Sequence, residues 1–482
     1  MMHDLKPYST YRDSGVAWLG AVPAHWELWR NGRLFTKSGG TGFPELPILE
    51  VSLKTGLRVR DLKGSNRKQV MAERAKYQCA SEGDLVYNTM RMWQGAVGVA
   101  PVDGLISPAY VVARPVSGVE SRYYEYLFRT DAYMGEVDRC SRGIVSDRNR
   151  LYWEQFKQLP SLVPSLEEQT AIVRFLDHAD RQIRRYIRAK QKLVKLLEEQ
   201  KQAIIHRAVS RGLNADVRLK PSGVEWLGEV PEHWEVITLK HIITRMEQGW
   251  SPQCDAQQAG EGEWGVMKVG CVNRDHFDST QNKRLPLSLE PVPSLEIKHG
   301  DILVSRANTR DLLGLAALSE NPRARLILCD KLFRFRALPD RADSRYLVYA
   351  IRGRTSRAQI ESSTNGASDS MQNIGQGVIR NLWISLPSLR EQQMIVAEIQ
   401  GRTRMLDTRI AQEEREISLL REYRTRLIAD VVTGKLDVRA AAATLPSGEL
   451  DEGEALEPED ELMDAGGAEE EELPAELEAL AG

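Results

Sequence analysis

One long amphipathic stretch occurs twice in the chain, and this duplication restricts the available folds more than any other feature. Residues 164–213 and 387–436 align without a gap at an offset of 223, and seven of their first ten positions are identical. Further on the letters diverge but the apolar rhythm persists: Leu176, Ile183, Ile187, Val194, Leu197, Ile204 and Val209 fall on Ile399, Leu406, Ile410, Ile417, Leu420, Leu427 and Val432. Spacings of three, four and seven predict a long amphipathic helix in each copy. Ser165 and Ser388, each followed three residues on by a glutamate, predict capped first turns. Gly212 and Gly434 predict the ends.

A second repeat sets the architecture. The box SGVAWLGAVPAHWEL at 14–28 returns as SGVEWLGEVPEHWEV at 222–236, with 11 of 15 positions identical. Its offset is 208, so the stretch between box and helix is 15 residues longer in the second copy. The order is box, variable stretch, helix, then the same again, and a duplication on this scale dictates a repeated architecture. His25 and His233 are expected to be buried beside their tryptophans. If the matching apolar stripes face one another, the second helix runs back along the first, giving an antiparallel pair with a pseudo-twofold axis. About 38 helical residues would span roughly 57 Å, comparable with one to two turns of B-DNA at ~34 Å per turn.

The variable stretches, roughly 29–160 and 237–385, carry short apolar runs bounded by Gly, Pro, Asp and Asn. Residues 84–88, 109–113, 301–305 and 326–328 read as strands, and 123–131 and 346–351 as helical pieces. The predicted fold class is α+β: two similar mixed α/β domains separated by two long antiparallel coiled-coil helices, in a pseudo-twofold duplicated architecture. The expected boundaries are 1–160, 161–213, 214–385, 386–436 and an acidic disordered tail at 437–482.

Charge divides the same way. Fifteen of the 68 acidic residues and none of the 65 basic ones lie beyond 439, so residues 1–439 carry 53 acids against 65 bases, a net charge of +12. A basic body fits a polyanionic partner. The tail, rich in Glu, Ala, Gly and Pro, reads first as a solubilising extension, with a competitor of DNA for the basic body as the alternative. No apolar run approaches a membrane span and the first residues lack a signal-peptide layout, so a cytoplasmic protein without membrane contact is expected. The five cysteines form no CxxC or Cys/His cluster, which argues against a zinc site or disulfides and for buried reduced thiols.

Catalytic signatures are missing: there is no GxxxxGK[ST], no helix-opening GxGxxG, no HExxH, and no Asn/Asp-Pro-Pro-aromatic segment. Glu296-Ile297-Lys298 matches a nuclease ExK at the level expected by chance. The variable stretches instead offer base-reading side chains in turn-rich settings. GDLVYNTMRMWQGAVG at 83–98 carries Asn88, Arg91, Trp93 and Gln94, and GDILVSRANTRDLLG at 300–314 carries Ser305, Arg306, Asn308 and Arg310. Ahead of the helices come Arg142, Ser146, Arg148 and Arg150, then Asn365, Ser368, Gln372, Asn373 and Arg380. Arginine pairs bidentately with guanine, and asparagine and glutamine with adenine, although each serves phosphates equally well.

Taken together, the two SGVxWLGxVPxHW boxes, PSLxEQxxIV opening each helix, the helix endings AVSRGLNADVR and VVTGKLDVR, and the segments GDLVYNTMRMWQGAVGV and GDILVSRAN resemble the specificity subunit of a Type I restriction-modification system. The resemblance covers nearly everything except the acidic tail. It implies two target-recognition domains, each reading half of a split site on double-stranded DNA, with helices that set the gap and dock two methyltransferase (modification) subunits. It also implies a chain without catalysis or cofactors of its own: the modification subunits would use S-adenosylmethionine to methylate adenine N6, and restriction/translocase subunits would use ATP and Mg²⁺ to translocate and cut. Two other readings compete: a self-sufficient DNA methyltransferase or nuclease, and a coiled-coil adaptor without DNA affinity.

Overall fold

A computed structural model of the chain describes residues 5–53, 55–60, 74–141, 149–274, 276–363 and 372–446. The chain divides into two compact units, Met1–Ile183 with Glu422–Gly482, and Arg184–Arg421. Each unit therefore holds a globular part and a segment of both long helices. The helices themselves, Leu166–Arg211 and Leu389–Val432, are 46 and 44 residues long, longer than the apolar pattern predicted.

In the first unit the central sheet is antiparallel with strand order Phe35–Ser38, Tyr110–Pro115, Leu85–Asn88, Val97–Val99. The second unit repeats that order with Glu247–Gln248, Leu332–Phe335, Ile302–Ser305 and Ala316–Leu318. Both predicted Gly-Asp strands are thus the third members of matching sheets. Two helices follow in each unit, Ser121–Phe128 and Asp131–Cys140, then Ser344–Arg352 and Arg354–Ser362. A two-stranded ladder closes each unit at its base, pairing Glu27–Arg30 with Pro160–Val163 and Glu235–Thr238 with Trp383–Leu386. The first core is an aromatic cluster in which Phe35, Tyr87, Tyr124, Phe128, Tyr133 and Phe156 are all fully buried. Each such side chain contributes about 1.5–3 kcal/mol by leaving water. The second unit, whose stretch between box and helix is the longer, adds a three-stranded sheet, Asn282–Arg284, Gly265–Met267 and Leu326–Ile327, with a small core of its own around Cys271 and Leu328.

The repeated motifs explain how each unit grips the helices. Ser165 and Ser388 accept hydrogen bonds from the amides of Glu168 and Glu391, as capped first turns require. The next residue, Gln169 or Gln392, turns back into the globular part and accepts from the amide of Glu120 or Asp343, the residue ahead of the neighbouring short helix. Glu168 reaches His25 Nε2 at 3.0 Å, and Glu391 reaches His233 Nε2 at 3.0 Å. At the other helix ends Gly434 (φ +77°) lies against Pro23 and Trp26, and Gly212 (φ +72°) lies against Trp234. In each unit the start of one helix and the end of the other therefore meet at the same box, which makes the pairing antiparallel. Trp26 and Trp234 are 1% exposed, but the two histidines are not buried as expected: their side chains are 47% and 56% exposed, because each points along the surface to its glutamate.

Within the second unit the seam between the helices carries Lys190, whose ammonium lies 2.7 Å from Glu413 Oε2 and 2.5 Å from Glu416 Oε2. Lys201 pairs with Asp407 at 2.6 Å further along, again with the two chains running in opposite directions. In the first unit Asp180 pairs with Arg424.

Residues 437–446, counted with the acidic tail on sequence, are folded. Asp437 bridges Lys6, Val438 is fully buried, and the helix Arg439–Ala443 follows. These residues carry the apolar side chains Val438, Ala442 and Leu445, which the composition of the tail as a whole concealed. The acidic stretch 447–482 lies outside the described residues. All five cysteines are free thiols, but only Cys271 and Cys329 are buried. Among the described residues no cluster of His, Cys, Asp and Glu could hold a metal, and no helix is long and apolar enough to cross a membrane.

Candidate nucleic-acid interface

The two Gly-Asp strands are positioned by the same device. Gly83 and Gly300 turn the chain at φ +85° and +84°, conformations that favour glycine. Asp84 then accepts Arg114 Nε and Nη2 at 3.0 and 2.9 Å from the adjacent strand, and Asp301 accepts Arg336 Nε at 2.7 Å from the residue that follows the adjacent strand. Both carboxylates are nearly buried and are used up in locking the sheet. The strand that follows each aspartate is therefore rigid, and its far end carries the candidate residues.

In the first unit this end is Asn88, whose Oδ1 accepts the amide of Met90 at 2.9 Å. The chain makes two tight turns through Arg91 and Gln94, and Trp93 Nε1 donates to the Met90 carbonyl at 2.9 Å, holding the indole half-buried across the turn. Arg91 is half-buried and Gln94 exposed. Arg150 joins them from 60 residues away in sequence, because the amide of its neighbour Leu151 donates to the Thr89 carbonyl at 2.9 Å. Arg142 and Arg148 lie outside the described residues, as does Ser146.

The second unit makes the same bond. The Ile374 amide donates to the Arg306 carbonyl at 3.0 Å, and Ala307–Asn308 pairs with Gln372–Asn373. Arg306, Asn308, Gln372 and Asn373 are thereby gathered at the end of the strand, with exposed Arg310 beginning the next short turn. Asn308 Oδ1 accepts the Thr309 amide at 2.9 Å, which leaves its Nδ2 without a partner among the described residues. Ser305 is different from what its sequence neighbours suggested. It is fully buried, donates to the Leu312 carbonyl at 2.6 Å and accepts the Leu315 amide at 3.0 Å, so it closes the loop from within instead of facing outward. Arg380 ends the helix Gln376–Arg380, where the adjoining Asn381 accepts from Lys240. Asn365 and Ser368 lie outside the described residues.

One residue of this surface escaped the sequence reading. Tyr152, 48% exposed, follows fully buried Leu151 and extends the Arg150 edge. The alternation of Arg150, Leu151 and Tyr152 was the available signal. Its counterpart in the second unit is Gly375, so the two surfaces differ in shape as well as in charge. Arginines and amides presented from rigid turns can address base edges and phosphates alike.

Matching sheets, matching helix clamps and a shared surface turn define a duplicated two-domain chain built on a helix pair. No family model matches it. The Type I restriction enzyme EcoEI specificity subunit of Escherichia coli is 32% identical over 180 residues, 37% of this chain and 30% of that protein. The Type I restriction enzyme StySPI specificity subunit of Salmonella potsdam is 22% identical over 347 residues, 71% of this chain and 72% of that protein. The match to the EcoEI protein thus spans less than a third of that relative's length. A solved chain from work on complex assembly and conformational transition of the type I R-M system shares the fold with a TM-score of 0.57 at 16% identity, covering 86% of this chain and 99% of its own. In sequence the chain is thus similar to specificity subunits of Type I restriction enzymes.

Proposed function

We propose that the chain recognises a bipartite site on double-stranded DNA, one half through each unit, and holds the catalytic subunits of a Type I complex in place. The observation that carries this reading is the shared backbone bond, Leu151 to Thr89 and Ile374 to Arg306, which brings two sequence-distant sets of arginines and amides to the equivalent surface of each unit. On this reading Asn88, Arg91, Trp93, Gln94 and Arg150 address one half-site, and Arg306, Asn308, Arg310 and Asn373 the other. Arg142, Arg148 and Arg380 add phosphate contacts. The chain has no catalytic role and binds no cofactor. Two modification subunits supply S-adenosylmethionine chemistry at adenine N6, and restriction/translocase subunits supply the ATP- and Mg²⁺-dependent steps.

The helices fit the second role. Tyr186, Leu196, Met405 and Leu419 are 62%, 53%, 76% and 55% exposed along the paired helices of the second unit, an apolar surface suited to protein docking and to setting the gap between half-sites. The direct test is DNA binding by the purified chain at low salt, where phosphate contacts are strongest. Replacing both arginines, Arg91→Gln with Arg150→Gln, should weaken binding by about 1–3 kcal/mol per residue that contacts DNA. Undiminished binding by this variant would refute the assignment, and methylation or cutting by the chain alone would favour the self-sufficient enzyme.

A further inference from the structure

We propose that Asp330 is a base-reading residue of the second unit and that it selects a cytosine in the half-site which that unit reads. The inference rests on the DNA-binding reading above and deepens it. Asp330 lies in the turn between the strands Leu326–Ile327 and Leu332–Phe335, and three hydrogen bonds fix that turn to the candidate surface. The Arg306 amide donates to the Lys331 carbonyl at 2.8 Å, while Arg306 Nη1 and Gln248 Nε2 donate to the Asp330 carbonyl at 3.4 and 3.1 Å. Gly249 allows this close approach, because a Cβ there would collide with the Leu328 carbonyl. Asp330 therefore stands beside Arg306, whose own carbonyl accepts the Ile374 amide that gathers Gln372 and Asn373 to the same strand end.

The carboxylate is oriented but not neutralised. The Ser251 hydroxyl donates to Asp330 Oδ1 and accepts the Asp330 amide at 3.1 Å, a two-way contact that sets the direction of the side chain. Asp330 is half-buried and forms no ion pair among the described residues, whereas Asp301 and Glu247 of the neighbouring sheet are paired with Arg336 and Arg334. A carboxylate in a surface that approaches phosphates repels them, so it weakens binding unless a group of the DNA donates to it. On the major-groove edge only cytosine N4 and adenine N6 carry donors, while guanine and thymine present acceptors. Adenine also sets its N7 acceptor beside the amino group, which a carboxylate repels, and cytosine does not. Cytosine is the base that fits.

The first unit has the same turn without the carboxylate. Thr89, the counterpart of Arg306, donates through its amide and its hydroxyl to the Ala109 carbonyl at 3.3 and 2.9 Å, as Arg306 donates to Lys331. The residue ahead of Ala109 is Pro108, which has no polar side chain. The preference for cytosine thus belongs to one half-site, and the other half-site is an internal control. An amide in place of the carboxylate both donates and accepts, which matches N7 and N6 of adenine. Asp330→Asn keeps the shape and the Ser251 contact, so it should move the preference from cytosine to adenine.

The purified full-length chain and its Asp330→Asn and Asp330→Ala variants are each used to select from a pool of duplexes randomised in sequence, at about 150 mM salt so that phosphate attraction does not mask base contacts, and the bound DNA is sequenced. Arg91→Gln marks the half-site of the first unit. The expected result is a cytosine favoured about tenfold by the parent at one position of the other half-site. Asp330→Ala should have no preference there and Asp330→Asn should take adenine, with every other position unchanged. If Asp330→Ala does not fold, the isosteric Asp330→Asn decides alone. A second half-site without a cytosine, cytosine retained by the variants, or weaker binding with no change in base preference overturns the assignment. So does a change confined to the half-site that Arg91→Gln alters. A parent chain that selects no sequence defeats the DNA-binding reading itself, and the assignment falls with it.

Discussion

Replacing Lys190 by methionine tests how much the helix seam depends on one buried charge pair. Glu413 is fully buried while Lys190 keeps 24% exposure, and the ammonium bridges Glu413 and Glu416 at 2.7 and 2.5 Å. These contacts, with Glu413 foremost, raise the Lys190 pKa. Lys190→Met strands the Glu413 carboxylate with Arg409 of its own helix as its remaining cation. Removing one partner of a buried pair costs about 3–5 kcal/mol in general. The retained Arg409 and the partial exposure of Lys190 reduce the expected loss to about 2–3 kcal/mol. The double change Lys190→Leu with Glu413→Leu removes both charges from an otherwise apolar row and should return stability to within about 1 kcal/mol of the parent, or above it. Urea unfolding of the full chain followed by circular dichroism gives both numbers. A single variant within about 0.5 kcal/mol of the parent, or a double variant less stable than the single, refutes the reasoning.

Other perturbations follow from the same geometry. Gly434→Ala forces a Cβ into Pro23 and Trp26 at φ +77°, whereas Gly212→Ala at φ +72° meets Trp234 at 3.1 Å, so the first should cost about 3–4 kcal/mol and the second about 1–2 in thermal melts. His206, on the first long helix, has its pKa lowered from 6.5 by burial and by Arg354 and Arg211, and its Nδ1 has no partner among the described residues. A depressed histidine binds fewer protons folded than unfolded, so stability should fall as pH drops through 6.5 toward the folded value, and His206→Gln should flatten that fall in melts at pH about 7.5 and about 5.5.

How much of this was legible in sequence depends on whether the signal was local or spatial. Both helices and their glycine ends follow from apolar rhythm and capping residues, and the structure places their ends at Arg211 and Val432 as the glycines required. The strands at Leu85–Asn88 and Ile302–Ser305 follow from short apolar runs after Gly-Asp. The partners of Asp84 and Asp301 do not, because Arg114 and Arg336 lie 30 and 35 residues away, on another strand and just past the end of one. The same limit explains Ser305: sequence places it beside Arg306, but strand alternation and the closing loop turn it inward. The histidines were misjudged because a tryptophan neighbour says nothing about which way the next side chain points. Their glutamates are 143 and 158 residues further on, in the helix motifs that sequence reads as caps. The candidate surface was half legible: its residues were named, but the backbone bond that unites Arg150 with Asn88, or Asn373 with Arg306, exists only in the fold.

The central claim is that each unit reads one half of a divided DNA site. Exchanging residues 29–160 for those of a relative with a different known site, in cells supplying active modification subunits, and mapping N6-methyladenine across the genome tests it directly. The account predicts that one half-site changes while the other half and the gap are retained. Alteration of both halves, or of neither, would contradict it.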